Sequence, residues 1–203
     1  MGLKVESAVD ELLDWIQSRK KHKSHLMIGI DGRCAAGKTT LAKRLAQEIS
    51  CSYNVIPMDS FFLQMHQRTK ERLSEPGGNI DYERVLEEVI TPGIKREAFS
   101  YRPYDCKKQR LMDKVQMEQS VVTIIEGSYS CHPYFGDPYD LSIFLDIPKE
   151  EQKERIRRRN PEEYETFISR WIPMEEKYFN EFKIKDKCDT SFVLNEGRNG
   201  GNV

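Results

Sequence analysis

The chain has 203 residues, and its 32 Lys and Arg against 33 Asp and Glu leave a net charge of -1. That balance excludes a module that binds nucleic acid through bulk basicity. No apolar run approaches the roughly 20 residues of a membrane span, and residues 1–24 carry no signal-peptide block, so a cytoplasmic chain is expected. Five scattered cysteines with no C-x-x-C pair suggest reduced thiols and no zinc site.

In chain order, residues 3–19 read as an amphipathic helix with Val5, Val9, Leu12, Leu13 and Ile16 on one face. His25–Ile30 is a short apolar run that reads as a buried strand. It runs into Gly32-Arg33-Cys34-Ala35-Ala36-Gly37-Lys38-Thr39-Thr40, which fits the phosphate-binding pattern G-x-x-x-x-G-K-[ST]. Leu41, Leu45 and Ile49 follow at helical spacing. Glycines permit the torsions that turn successive N–H groups toward one anion, and the following helix offers its unpaired N-terminal amides. Gly32, Ala35, Ala36, Gly37, Lys38, Thr39 and Thr40 are therefore the expected nucleotide-binding residues. Lys38 brings positive charge to the β- and γ-phosphates, and Thr39 offers a hydroxyl to Mg²⁺. A nucleotide polyphosphate with Mg²⁺ is the ligand this pattern points to. Cys34 lies inside this loop, so its oxidation would hinder nucleotide binding.

Tyr53–Met58 reads as a second strand, ending at Asp59 beside the phosphate-loop strand. Residues 60–80 are polar and turn-rich. Asp81–Thr91 is a helix that Pro92-Gly93 should stop. Residues 94–119 read as a small insertion or hairpin. Ser120–Ile125 is the clearest strand and ends at Glu126-Gly127, and Leu141–Asp146 is another. Lys149–Asn160 is a charged helix, followed by an acidic, aromatic helix that Pro173 kinks or restarts. The stripe around Phe167, Trp171, Tyr178 and Phe182 reads as core, and the four histidines show no ligand spacing. Thr190–Leu194 is a last strand, and residues 195–203 form a loose tail.

Strands alternating with helices predict one α/β domain with a mostly parallel, five-stranded sheet, helices on both faces and a small lid. Ligands of such sheets sit beyond the strands' carboxyl ends, where Lys38, Asp59 and Glu126 all fall. Phosphoryl transfer needs charge neutralisation, positioning and a group that takes the acceptor's proton. Asp59 suits the last need, or else orients a Mg²⁺-bound water; a helix cap at Ser60 is the structural alternative. Glu126 ends its strand as a Walker-B acid does and would hold Mg²⁺ through water. Arg155, Arg158 and Arg159 share one helical face, as a phosphate lid or as a solvated surface.

These segments together resemble the uridine kinase family, in the group that holds phosphoribulokinase and bacterial pantothenate kinase. The resemblance runs from about Met27 to Leu194. It is carried by Ile30-Asp31-Gly32 through Thr40, Met58-Asp59-Ser60-Phe61-Phe62, Asn79-Ile80-Asp81-Tyr82, Tyr101-Arg102-Pro103-Tyr104-Asp105 and Ile125-Glu126-Gly127, then by Ile143-Phe144-Leu145-Asp146 leading into the arginine helix. It implies an ATP- and Mg²⁺-dependent kinase acting on a hydroxyl of a small molecule. Asp59 takes the place of the catalytic base, Asp81 that of the acid on the acceptor's sugar, and Tyr104 that of the tyrosine lying against the acceptor. Arg102 belongs to the same acceptor pocket, Glu126 matches the strand-end acid, and Arg155 and Arg159 match the lid. Two departures fall on the nucleoside side: Lys107-Lys108-Gln109-Arg110 stands where a His is usual, and the lid reads Arg158-Arg159-Asn160-Pro161-Glu162. A pantothenate- or sugar-phosphate-like acceptor therefore stays open beside a nucleoside. A nucleotide-dependent switch is disfavoured, since the chain has no Asn-Lys-x-Asp segment and its third strand ends in Glu-Gly rather than Asp-x-x-Gly. A homo-oligomer is compatible with all of this.

Overall fold

The computed structural model describes residues 2–195. The expected tail therefore lies outside the described residues, apart from the backbone of Asn195.

Strand β1 (Leu3–Lys4) leads directly into α1 (Val5–Arg19). β2 (Leu26–Gly32) feeds the phosphate loop and α2 (Lys38–Glu48). β3 (Tyr53–Pro57) ends in a 3-10 turn, Met58–Phe61. The turn-rich stretch after it holds α3 (Lys70–Ser74), then α4 (Tyr82–Val85), a π turn (Leu86–Ile90) and α5 (Thr91–Lys95). Four short strands follow: β4 (Phe99–Tyr101), β5 (Tyr104–Asp105), β6 (Arg110–Leu111) and β7 (Val115–Met117). β4 pairs with β7 and β5 with β6, both antiparallel, so the expected hairpin is present as two nested pairs. β8 (Val122–Glu126), β9 (Leu141–Asp146) and α6 (Lys149–Arg159) come next. The chain closes with α7 (Tyr164–Thr166), a second π turn (Phe167–Trp171), α8 (Ile172–Phe182), α9 (Ile184–Lys187) and β10 (Thr190–Asn195).

The main sheet has six strands in the order β1-β10-β9-β2-β8-β3, and every pairing in it is parallel. The sixth strand is β1, formed by two residues assigned from their apolar spacing to the first helix; Leu3 and Lys4 pair with Leu194 and Asn195 instead. β3 pairs with β8, so β8 separates it from the phosphate-loop strand. Asp59 is therefore two strands from β2 rather than adjacent to it.

Alternation along the strands builds a core on each face. Leu26, Ile28 and Ile30 join Val9, Leu12 and Ile16 of α1 and Leu41 and Leu45 of α2. Met27, Ile56, Ile125 and Phe144 face Val85, Val89, Tyr178 and Phe179 on the other side. Each fully buried Leu or Ile contributes about 1.5–3 kcal/mol of transfer free energy.

Pro92-Gly93 does not stop its helix; α5 continues to Lys95 with Pro92 in its first turn. A proline ring inside a regular helix strikes the carbonyl four residues back and removes a donor. Here a π turn precedes it, and the wider i→i+5 spacing loosens the ladder at that point. The pattern recurs at Phe167–Trp171 ahead of Pro173, which restarts the helix as α8. Among the described residues no helix is long and apolar enough to cross a membrane.

Candidate active site

The phosphate loop is built by backbone torsions. Ala35 and Gly37 have φ of 60° and 99°, and α2 begins at Lys38 directly after them. Gly32 has φ of 132°, and a Cβ there would lie 2.1 Å from the Leu145 carbonyl oxygen. That close approach of β2 to its parallel neighbour β9 admits no side chain. The Lys38 ammonium donates to the carbonyl oxygens of Gly32 at 2.7 Å and Arg33 at 2.8 Å, so it lies curled over the loop. Thr39 Oγ1 donates to Glu126 Oε2 at 3.2 Å. A hydroxyl and a carboxylate so placed are hard oxygen donors, and they fit Mg²⁺ held by one acid and completed by water. Burial raises the Glu126 carboxyl above its ordinary range, while the Thr39 hydroxyl and Lys38 pull it back down. Asp59, further along the same row of strand ends, adds a like charge that also raises it.

Lys38, Thr39, Thr40, Asp59 and Glu126 all line one cavity of about 700 Å³. Asp59 is exposed within its 3-10 turn, and its side chain does not cap that turn. Ala35 and Gly37 line the cavity too, whereas Ala36 is buried beneath the loop and Gly32 forms its base. Arg155 and Arg159 reach the cavity from α6, as does Arg158. Arg155 is buried, and its guanidinium donates to the carbonyls of Ala35 at 3.2 Å and Leu194 at 2.9 Å and pairs with Glu151. It thus braces the phosphate loop against β10.

Asp81, Arg102 and Tyr104 are not among the described residues lining this cavity. Asp81 is buried and committed: Oδ1 accepts from the Arg84 amide at 3.2 Å, capping α4, and Oδ2 accepts from Gln67 at 2.9 Å. Arg102 donates from Nε to the Met112 carbonyl at 2.8 Å and from a terminal nitrogen to Leu111 at 3.3 Å, which ties the nested hairpins together. Tyr104 is buried beneath Arg68, whose guanidinium lies 5.7 Å from the ring centroid. From these segments the cavity is lined instead by Phe62, Asn79 and Cys106.

Several residues without a role in the sequence reading shape the site. Asp31 is fully buried at the end of β2, and burial raises its carboxyl. It accepts from the amides of Gly32 at 2.6 Å, Tyr129 at 3.0 Å and Cys131 at 2.9 Å and from the Tyr178 hydroxyl at 2.8 Å. These bonds fasten the loop after Glu126 to the phosphate-loop strand. Glu175 of α8 accepts from the Cys34 amide at 3.0 Å and from the Ser128 hydroxyl at 2.5 Å. Glu175 belongs to no spaced motif, and Asp31 enters the sequence reading only within Ile30-Asp31-Gly32, so only the tertiary fold reveals what they hold. Phe167 and Trp171, expected in the core, line the cavity instead, because the π turn carries both of them to its wall. Burial, with Glu175 nearby, pushes the Cys34 thiol well above its usual range, which makes it a poor nucleophile.

A parallel sheet with a glycine loop, lysine, hydroxyl and strand-end acid at its carboxyl edge defines a P-loop nucleotide-binding protein. Residues 28–178 match the family model described as AAA domain, and the chain belongs to that family. It is 25% identical over 183 residues to the uridine kinase of Halobacterium salinarum, covering 85% of this chain and 80% of that one. It is 28% identical over 135 residues to the uridine kinase of Shewanella frigidimarina, covering 61% of this chain and 63% of the other. Among solved structures, its fold is similar to that of a possible uridine kinase from Bacillus stearothermophilus. The TM-score is 0.70 and the identity 23%, over 92% of this chain and 98% of the other. The resemblance read from the sequence is thus found again in both relatives and fold.

Proposed function

We propose that the protein is an ATP- and Mg²⁺-dependent kinase that transfers the γ-phosphoryl group to a hydroxyl of a small molecule, a uridine-like nucleoside being the acceptor class supported best. The observation that carries this reading is the convergence of Lys38, Thr39, Glu126 and Asp59 on one cavity. Such a set can neutralise a polyphosphate, hold its metal and receive a proton. The nucleoside preference draws on the aromatic residues in the cavity's lining, Phe62, Tyr129, Phe167 and Trp171. It also draws on relatives that are uridine kinases, two of them described above.

In this reading the loop amides and Lys38 hold the β- and γ-phosphates. Thr39 and Glu126 would hold the metal, Glu126 in its ionised form. When bound, MgATP supplies the transferable phosphoryl group and the metal's neutralising charge. Asp59 accepts the proton of the acceptor hydroxyl, and its exposure on a turn leaves it free to approach that oxygen. Arg158 and Arg159 close over the phosphates from α6. Asp81, Tyr104 and Arg102 act behind the acceptor wall by fixing α4 and the hairpins.

ADP formation from ATP in the presence of uridine tests the assignment. Asp59→Asn keeps the shape of the side chain and loses the base, so the turnover rate should fall about a hundredfold or more. Full transfer by that variant would remove Asp59 from the proton step.

A further inference from the structure

The row of strand ends gives the cavity a direction. All six strands run the same way, so their carboxyl ends lie along one edge. Asp59 follows β3 at one end of the row and Glu126 closes β8 beside it. The phosphate loop follows β2 in the middle. Leu194 lies near the end of β10, and Val5 directly follows β1 at the opposite end of the row. Five strand spacings separate the outer strands, roughly 24 Å. Both Val5 and Leu194 line the same cavity as Asp59.

The metal and transfer groups occupy the β8–β3 side, so a triphosphate seated on the loop must carry its nucleoside toward β10 and β1. That end is apolar. Leu194 lies beside the phosphate loop, 3.5 Å from where a Gly37 Cβ would stand. Val5 is partly buried against the core while one side of it faces the cavity. Val5 reaches this position only because Leu3 and Lys4 pair with Leu194 and Asn195 and so start α1 at the strand end.

We propose that the N-terminal strand completes a nucleobase subsite, in which Val5 and Leu194 form the apolar wall against a flat heteroaromatic ring. This deepens the kinase reading and rests on it. Val5 is a specificity-determining residue for the phosphate donor, with no part in the transfer step.

The test measures binding by calorimetry, with Mg²⁺ present, of two probes: the β,γ-imido analogue of ATP and inorganic tripolyphosphate. Val5→Asn should weaken the nucleotide analogue about five- to tenfold, as when one apolar side chain is lost from a ring's face, and leave tripolyphosphate unchanged. A second variant, Val5→Cys, places a thiol at the wall. Its labelling by a maleimide, located by mass spectrometry, should be slowed by the nucleotide analogue and unaffected by tripolyphosphate. Equal weakening of both probes, no weakening of either, or equal protection by both would overturn the subsite. If the unaltered chain bound tripolyphosphate as tightly as the nucleotide analogue, the subsite would fall and the phosphate site would stand. If it bound neither, both readings would fall.

Discussion

Asp31 shows how one side chain can hold a site without touching its ligand. Its carboxylate gathers the Tyr129 and Cys131 amides and the Tyr178 hydroxyl in a fully buried setting. Asp31→Ala would leave those donors buried and unpaired. A loss of roughly 3–5 kcal/mol of folding free energy is expected, measured by urea unfolding. A loss within experimental error of zero would show that water or a local shift satisfies them. Gly32 is constrained more simply. Gly32→Ala puts a methyl 2.1 Å from the Leu145 carbonyl at φ of 132°, so at least about 2 kcal/mol should be lost in the same measurement. The loop residues Gly32–Thr40 were legible in the sequence because their spacing is the chemistry itself. Asp31 and Glu175 were not, since a lone acid beside an apolar strand or within a helix has no spacing to read.

At the scale of elements, His132 joins three parts of the chain. Its ring stacks on Tyr82 of α4 and Tyr178 of α8, at centroid distances of 4.7 and 5.7 Å. Nδ1 accepts from the Tyr134 amide at 3.1 Å, and Nε2 lies 3.3 Å from the Pro76 carbonyl. That pattern suits the neutral ring. Burial, with Arg72 adding to it and Glu83 and Glu75 opposing it, lowers its pKa from 6.5 to about 4. The folded form is thus favoured above pH 6.5, and the benefit is lost as pH falls from about 6.5 to about 4. The full loss is about 3 kcal/mol. Asp31 and Glu126, with raised carboxyl values, act in the opposite sense as pH rises above the usual carboxylate range. Comparing the unaltered chain with His132→Phe isolates the histidine: the stability difference between pH 7 and pH 4 should be smaller in the variant. An equal difference would mean that the ring takes up its proton as readily in the fold as in the unfolded chain. Elements of strong period were legible, β9 residue for residue, whereas the π turns were not. Pro92-Gly93 reads as a helix stop and Pro173 as a kink or restart, and only the widened turn before each proline shows why a helix follows both.

At the scale of the whole molecule, the N-terminal segment belongs to the nucleotide-binding core. Ala8, Val9, Leu12 and Ile16 are buried against β2, β9 and α2. Leu12→Ala should therefore cost about 3 kcal/mol in urea unfolding, as for a fully buried leucine. A cost below about 1 kcal/mol would mean that α1 docks loosely. The α/β class and the parallel sheet followed from alternating apolar runs, but the strand order did not. Nothing in Tyr53–Pro57 says that it pairs with β8 rather than β2. That order decides the site, since it sets Asp59, Glu126, the phosphate loop and Val5 in a row along the edge that one cavity follows. The central claim is group transfer from one end of that edge. Following the γ-phosphate label of ATP in the presence of uridine tests it most directly. The label is predicted to appear in a phosphorylated nucleoside, and to stay in ATP when Lys38 is replaced by alanine. Label released only as inorganic phosphate, across uridine and a panel of other small alcohols, would contradict the account.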